Sequence, residues 1–374
     1  MKIGFDGKRA FHNATGLGNY SRDLLKILAT HFSDNEYLVY NTKPKKIDRL
    51  SGFKNVMEKL PESNFWKKFS SIWRQGPILK QLKKDQIRLY HGLSGEMPRG
   101  IEKTEISTVV TIHDLIFVRY PKLYSFFDRK IHFNKFKYAA EKADKVIAIS
   151  EQTKNDIIKF LKVEASKIQV IYQGCHSVFK EKVSDDFKTR VKEKLNLPEN
   201  FILNVGTIEE RKNLLSILKA IKDLNTELVV VGRKTEYYKT IENYINENKL
   251  NNRVHFLEGV TLKELAAIYQ IGNIFIYPSI FEGFGIPIIE ALYSKTPVIT
   301  TKGGVFPETG GPNSCYVNPN DSEELSKAIE DILNDKSLQN EMADKGYTFV
   351  QKFNDDVIAN NVMKLYRSIL DERS

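Results

Sequence analysis

The chain has 374 residues, 41% hydrophobic and 28% charged, with a formal net charge of +10 at neutral pH. That length exceeds the size at which one hydrophobic core usually stops growing, so a globular protein of two domains is expected. Cys175 and Cys315 make neither a disulfide framework nor a zinc cluster, the seven histidines show no HExxH pairing, and no run of about 18 apolar residues marks a membrane span.

Residues 2–6 are the first strand candidate. The sequence turns polar at Asp6, too early for a signal peptide, so a cytoplasmic location is expected, extending to the inner face of the cell membrane if basic surface touches lipid. Thr15-Gly16-Leu17-Gly18-Asn19-Tyr20 follows and opens a helix over 19–29, with Leu24, Leu25 and Leu28 on one side. Gly16 and Gly18 allow a tight turn with N–H groups turned to an anion or a sugar. The loop lacks the third glycine of a dinucleotide fingerprint, and Tyr40-Asn41 stands where its acidic partner belongs at the end of the next strand, 37–40. It also lacks the Gly-Lys-Ser/Thr of a Walker A loop.

Residues 43–88 hold 13 Lys or Arg against 4 Asp or Glu, a net +9 that leaves the rest of the chain nearly neutral. Such a patch suits anionic lipid, a polyanionic acceptor or nucleic acid. Without zinc-finger spacing or an RRM-like aromatic signature, a nucleic-acid partner is not expected. Phe65, Phe69 and Trp73 fall on one helical face with lysines around them. Packing of that face on the domain's own core is the preferred reading, and an interfacial helix is the alternative.

Strand candidates at 87–91 and 107–112 come next, the second ending in His113-Asp114. Adjacent strand residues point to opposite faces, so these two need not be a catalytic couple, but a sugar hydroxyl or a reacting carbonyl oxygen would give the His113 ring a partner. A basic helix over 126–143, a strand at 145–149, a helix over 152–161 and a strand at 168–171 complete the first half. Strands separated by helices imply a mainly parallel sheet covered on both faces.

After the polar stretch 180–200 the pattern restarts, with strands at 201–206, 227–232, 254–257, 274–277 and 297–299 and a helix over 214–221. Gly206 ends the first of these strands, and Arg211-Lys212 stands near the following helix start, against the preference of the helix dipole. A negatively charged ligand between them and the helix would make sense of that placement, with Arg as a fork and Lys as a compact charge. Glu282-Gly283-Phe284-Gly285-Ile286-Pro287-Ile288-Ile289-Glu290 follows the 274–277 strand, at the carboxyl end where open α/β sheets bind ligands. Gly283 and Gly285 let the backbone approach a ligand. Glu290, set among Ile288, Ile289, Ala291 and Leu292, reads as a buried carboxylate that needs a hydrogen-bonding partner. Residues 355–370 place Val357, Ile358, Val362, Leu365, Tyr366 and Ile369 at helical spacing, and this helix is expected to cross back to the first domain. The expected division is 1–180, 181–354 and the terminal helix 355–374.

Gly16-Leu17-Gly18-Asn19-Tyr20, His113-Asp114, Ser150 with Thr153-Lys154, Gly206 through Asn213, the Glu282-to-Glu290 element and Pro307-Glu308 together resemble the retaining, nucleotide-sugar-dependent glycosyltransferases of family 4. The resemblance covers nearly the whole chain, and the two glutamates around Gly-Phe-Gly are its specific part. It implies an α/β fold of GT-B architecture, two Rossmann-like, doubly wound parallel-sheet domains facing across a cleft, acceptor on the first and donor on the second.

The same resemblance implies the roles. Glu290 would bind the ribose of the donor nucleotide and Glu282 the donor sugar. Lys212, with Arg211, would hold the diphosphate and steady the leaving group; Gly16 and Gly18 would lie over the phosphates or the acceptor. His113 would touch the transferring sugar, and the N–H groups of Gly283, Phe284, Gly285 and Ile286 would assist. Gly206-Thr207 departs from the Gly-Arg of many relatives, and Arg211 is the candidate replacement. No cofactor and no metal are implied. The likeness to the mannosyltransferase-rich branch makes GDP-mannose the implied donor. The acceptor would be a saccharide or lipid-linked saccharide of surface-glycan biosynthesis, with peripheral contact to an anionic membrane. The alternatives are a UDP-glucose or UDP-N-acetylhexosamine transferase, a sugar-phosphate synthase and a noncatalytic nucleotide-sugar-binding protein.

Overall fold

The computed structural model describes residues 1–372. It divides into two units, one of Met1–Gly174 with Phe353–Ser374 and one of Cys175–Lys352.

In the first unit, seven strands form a parallel sheet: β1 (Lys2–Asp6), β2 (Glu36–Tyr40), β3 (Val56–Lys59), β4 (Leu89–Gly92), β5 (Ser107–Ile112), β6 (Lys145–Ala148) and β7 (Ile168–Val170), in the order β3-β2-β1-β4-β5-β6-β7. β4 and β5 are buried throughout, as strands covered by helices on both faces must be. Chain order reverses between β1 and β4, so the loops after these strands part and leave room for a ligand. The helix Asp355–Asp371 packs on the helix Gly16–His31 and adds Ile358, Val362, Tyr366 and Ile369 to the core formed by Phe5, Leu25, Leu28 and Val39. Burying each such side chain contributes roughly 1.5–3 kcal/mol.

The second unit repeats the plan with six parallel strands: β8 (Phe201–Val205), β9 (Glu227–Val231), β10 (Val254–Leu257), β11 (Ile274–Tyr277), β12 (Val298–Thr301) and β13 (Cys315–Val317), ordered β10-β9-β8-β11-β12-β13. The reversal here lies between β8 and β11. The helix Leu214–Ile221 turns Leu214, Ile217, Leu218 and Ile221 into the core beside Leu325 and Ile329.

One expectation fails. Phe65, Phe69 and Trp73 do not share a core-facing helix, because the chain breaks at Phe69 (φ −105°, ψ 37°) into the short helices Asn64–Lys68 and Ser70–Trp73. The break resets the helical phase. Trp73 enters the core with Leu38, Tyr40 and Ile78, whereas Phe65 and Phe69 are 61% and 40% exposed and Ile72 is exposed with them.

Candidate functional site

In the second unit the loops after β8 and β11 are tied together at the point where strand order reverses. Gly206 leaves β8 with a φ of +154°, and its carbonyl oxygen would lie 1.8 Å from any Cβ at Gly232, so Gly232 must be glycine for the two strand ends to meet. Arg211 and Lys212 occupy a single 3-10 turn, Glu210–Lys212, ahead of the helix Leu214–Ile221. Asn213 closes that turn in the left-handed conformation (φ 59°), its amide donating to the carbonyls of Pro278 (3.2 Å) and Pro319 (2.6 Å). The carbonyl of Arg211 accepts from the Ile280 N–H (2.9 Å) and the Ser279 hydroxyl (3.1 Å).

Glu282 is the electrostatic centre of this cluster. Its Oε1 accepts from Lys212 Nζ (2.6 Å), Ser279 Oγ (2.7 Å) and Tyr277 Oη (2.9 Å), and it pairs with Arg211 Nη1 at 2.8 Å. Burial alone would raise its pKa, but the charges of Lys212 and Arg211, with the bonds from Lys212 and Ser279, hold it at about 2. The Tyr277 phenol moves the other way, raised by burial and then by the adjacent Glu282 carboxylate. The Lys212 ammonium also lies over the Tyr277 ring, 5.0 Å from its centre. Arg211 is held further, by Glu209 (2.6 Å) and by the carbonyl of Phe281. The basic pair therefore has a counter-charge within the protein, at Glu282, besides the charged ligand that its placement in the sequence suggested.

Beyond Glu282, Gly285 adopts φ +98° to start the helix Ile286–Tyr293, a conformation that side chains rarely enter. Phe284 is buried, so its side chain is not presented to a ligand. Glu290, one and a half turns on, is half-buried rather than buried. Its helix packs Ile288, Ile289 and Ala291 inward and leaves the Glu290 carboxylate at the edge, where the buried Tyr269 hydroxyl donates to Oε2 at 3.0 Å. Each glutamate thus rests on one buried tyrosine, and the two phenols are bridged by Phe275, stacked on Tyr277 (5.7 Å) and met edge-on by Tyr269 (5.3 Å).

Sequence reasoning missed Tyr269, Tyr277 and Ser279 as site residues. Tyr277 could have been suspected, being a polar-tipped side chain at the end of a buried strand. Nothing local links Tyr269 to Glu290. Among the described residues no group of three or more His, Cys, Asp or Glu is arranged to hold a metal.

In the first unit, the helix Gly16–His31 begins at the predicted glycine loop. A Cβ on Gly18 would stand 1.9 Å from the Asn13 carbonyl oxygen, whereas one on Gly16 would meet nothing within 4 Å. Gly18 therefore serves close packing, reinforced by the buried Arg22, whose Nη1 donates to the carbonyls of Ala10 and Asn13 at 2.8 Å each. Gly16 has no such steric reason. His113, just past β5, donates from Nε2 to the Leu93 carbonyl (2.9 Å), and its own carbonyl accepts from Thr153 Oγ1 (3.0 Å), which the Ser150 hydroxyl meets at 3.0 Å. Burial lowers the His113 pKa to about 4, partly opposed by the Leu93 bond, so the ring is neutral at physiological pH. Asp114 instead accepts from the Ile116 N–H at 3.0 Å.

The model for glycosyl transferases group 1 matches residues 185–349, and that for glycosyltransferase family 4 matches residues 16–177. The O-antigen chain mannosyltransferase RfbU of Salmonella typhimurium is 35% identical over 226 residues, 60% of either chain, so the match takes in about three-fifths of that relative. The O-antigen chain mannosyltransferase B of Escherichia coli is 24% identical across 98% of this chain and 100% of its own. Among solved structures, sucrose-phosphate synthase from Thermosynechococcus elongatus superposes with a TM-score of 0.81 at 23% identity, covering 100% of both chains. Anabaena HepE in complex with UDP and glucose gives 0.76 at 19% identity, over 98% of this chain and 100% of that one. At these identities the structural likeness establishes the GT-B fold.

Proposed function

From the premise that the chain is a GT-B-fold relative of the family 4 and group 1 glycosyltransferases, several of them mannosyltransferases, we propose that it is a retaining glycosyltransferase that moves mannose from GDP-mannose to a saccharide hydroxyl. The observation that carries this reading is the cluster of Lys212, Arg211 and Glu282 at the strand-order reversal of the second unit. Breaking the anomeric bond builds negative charge on the departing phosphate oxygen, and a fixed cation beside it stabilises the transition state more than the ground state. Lys212 supplies that cation. Glu282 and Tyr277 hold its ammonium in place before the donor arrives, and Arg211 braces Glu282 at the same carboxylate oxygen.

Glu290 takes the ribose hydroxyls, its carboxylate oriented by Tyr269. Glu282, held ionised by its neighbours, accepts from hydroxyls of the donor sugar. N–H groups of Gly283, Phe284, Gly285 and Ile286 receive the leaving phosphate or the sugar at the start of the helix Ile286–Tyr293. The neutral His113 meets the transferring sugar. The acceptor hydroxyl arrives on the face the phosphate leaves, and the phosphate takes its proton, so configuration is retained without a separate protein base and without a metal.

A lipid-linked acceptor in an anionic membrane fits the first unit best. Phe65, Phe69 and Ile72 are exposed within the basic stretch 43–88, and Phe126, Phe127 and Ile131 are exposed at the start of the lysine-rich helix Phe126–Lys142. Arg74 (2.8 Å) and Lys135 (3.5 Å) both pair with Glu96, which ties these two segments to one carboxylate. Exposed aromatics among cations suit a lipid interface.

A thermal-shift screen of purified protein against GDP-mannose, UDP-glucose and UDP-N-acetylglucosamine tests the donor, followed by mass analysis with saccharide, sugar-phosphate and lipid-linked acceptors. Stabilisation by GDP-mannose and acceptor-dependent GDP release are expected. Donor binding with no turnover on any acceptor class would make the protein a binding module instead.

A further inference from the structure

A chain of four buried side chains runs from the C-terminal helix of the first unit to the ring beside His113. Tyr366 Oη lies 2.6 Å from His91 Nδ1, His91 Nε2 lies 2.7 Å from Thr111 Oγ1, and Thr111 Oγ1 lies 3.1 Å from Tyr20 Oη. The Tyr20 ring then meets the His113 ring edge-on, with centres 4.5 Å apart.

Hydrogen count and burial together give this chain a direction. Neutral His91 carries one N–H, and the three hydroxyls carry one O–H each. Burial, with a smaller push from His113, lowers the His91 pKa to about 3, so the ring stays neutral. Four hydrogens therefore face three contacts, and one donor is left over. A buried donor left without a partner is destabilising. Tyr366, His91 and Thr111 are fully buried, whereas Tyr20 retains 8% exposure, so the surplus hydrogen is least costly at Tyr20. Every bond then points the same way: Tyr366 donates to His91 Nδ1, His91 Nε2–H to Thr111, and Thr111 to Tyr20. His113 presents the complementary group, since its Nε2–H is given to the Leu93 carbonyl and its Nδ1 is an acceptor.

We propose that Tyr20 is a specificity residue whose phenolic O–H donates to a hydroxyl oxygen of the hexose that His113 contacts, and that Tyr366 is the positioning residue that sets the direction of the chain behind it. This assignment rests on the glycosyltransferase reading. A donor from Tyr20 and an acceptor on His113, on touching rings, match the two-way hydrogen bonding of sugar hydroxyls. A site built to bond a hydroxyl discriminates strongly against a sugar that lacks it, because its own polar groups are then left unpaired.

Two measurements test the proposal. In the free protein, nitrogen-15 NMR of His91 should show the tautomer protonated at Nε2; protonation at Nδ1 overturns the direction of the chain whatever the substrate. In the second, wild type and Tyr20→Phe are compared on the nucleotide sugar that the wild type turns over and on its 2-, 3-, 4- and 6-deoxy analogues. Tyr20→Phe should lower kcat/KM for the parent sugar by about tenfold or more. It should match the wild type on the one analogue that lacks the contacted hydroxyl. An equal loss on every sugar overturns the proposal by making Tyr20 structural. Absence of wild-type turnover with every nucleotide sugar overturns the underlying functional reading, a result distinct from selective failure of the deoxy pairing.

Discussion

Glu282 and Lys212 illustrate how one carboxylate can organise a cationic site. Lys212, Arg211, Ser279 and Tyr277 converge on it, so removing either charge exposes what the other was doing. Glu282→Ala leaves two half-buried cations facing each other and should destabilise the second unit by roughly 3–5 kcal/mol, measured by urea unfolding. Glu290→Ala removes a half-buried carboxylate that accepts from the Tyr269 hydroxyl, and should weaken donor binding tenfold or more in calorimetry with a near-normal thermal midpoint. An unchanged Kd for the nucleotide sugar in a folded Glu290→Ala variant would remove Glu290 from the donor site. The motif that places these two glutamates was visible in the sequence because glycines and a strand end bracket it. Tyr269, 21 positions before Glu290, was not, since only the packing of separate helices brings them together.

At the scale of elements, buried parallel strands announced themselves as apolar runs, and β5, β10, β11 and the helix Leu214–Ile221 occupy the positions their patterns predicted. β3, only half-buried at the edge of its sheet and set in the basic stretch, carried no such run. The Phe65–Phe69–Trp73 stripe misled for a related reason: spacing describes a face only while the helix continues, and this one stops at Phe69. Glycines separate by geometry in the same way. Gly18→Ala should lower the thermal midpoint because its Cβ collides with the Asn13 carbonyl, while Gly16→Ala should leave it unchanged. A large loss of transfer activity in a fully stable Gly16→Ala protein would mean that a ligand approaches the backbone there.

Across the whole molecule, the alternation of strand and helix made a two-domain parallel α/β fold legible, whereas the wiring of the first unit through His91 and Tyr366 was hidden in long-range contacts. That wiring has a pH signature. His91 and His113 have folded pKa values of about 3 and about 4, against 6.5 for an ordinary histidine, so the unfolded chain takes up protons that the native state refuses. Their contribution is complete above pH ~6.5 and declines as the pH falls toward those folded values. The thermal midpoint should drop across that window, and His91→Gln should flatten the dependence; an equally steep curve in the variant would show that other groups govern it. Vesicle flotation tests the exposed surface: the protein should float with phosphatidylglycerol-containing vesicles and remain behind with pure phosphatidylcholine, and Phe126→Ser with Phe127→Ser should abolish the difference. Excess chelator should leave transfer rates intact, and collapse with rescue by a divalent ion would contradict metal-free transfer.

The most direct test is nucleoside-diphosphate release from GDP-mannose in the presence of acceptor, compared between wild type and Lys212→Ala at matched folded fraction. The predicted result is a loss of about 10²-fold or more in kcat, since a preorganised charge at the leaving phosphate acts mainly in the transition state. Equal release by a folded Lys212→Ala protein would contradict the claim that this cation steadies the departing phosphate.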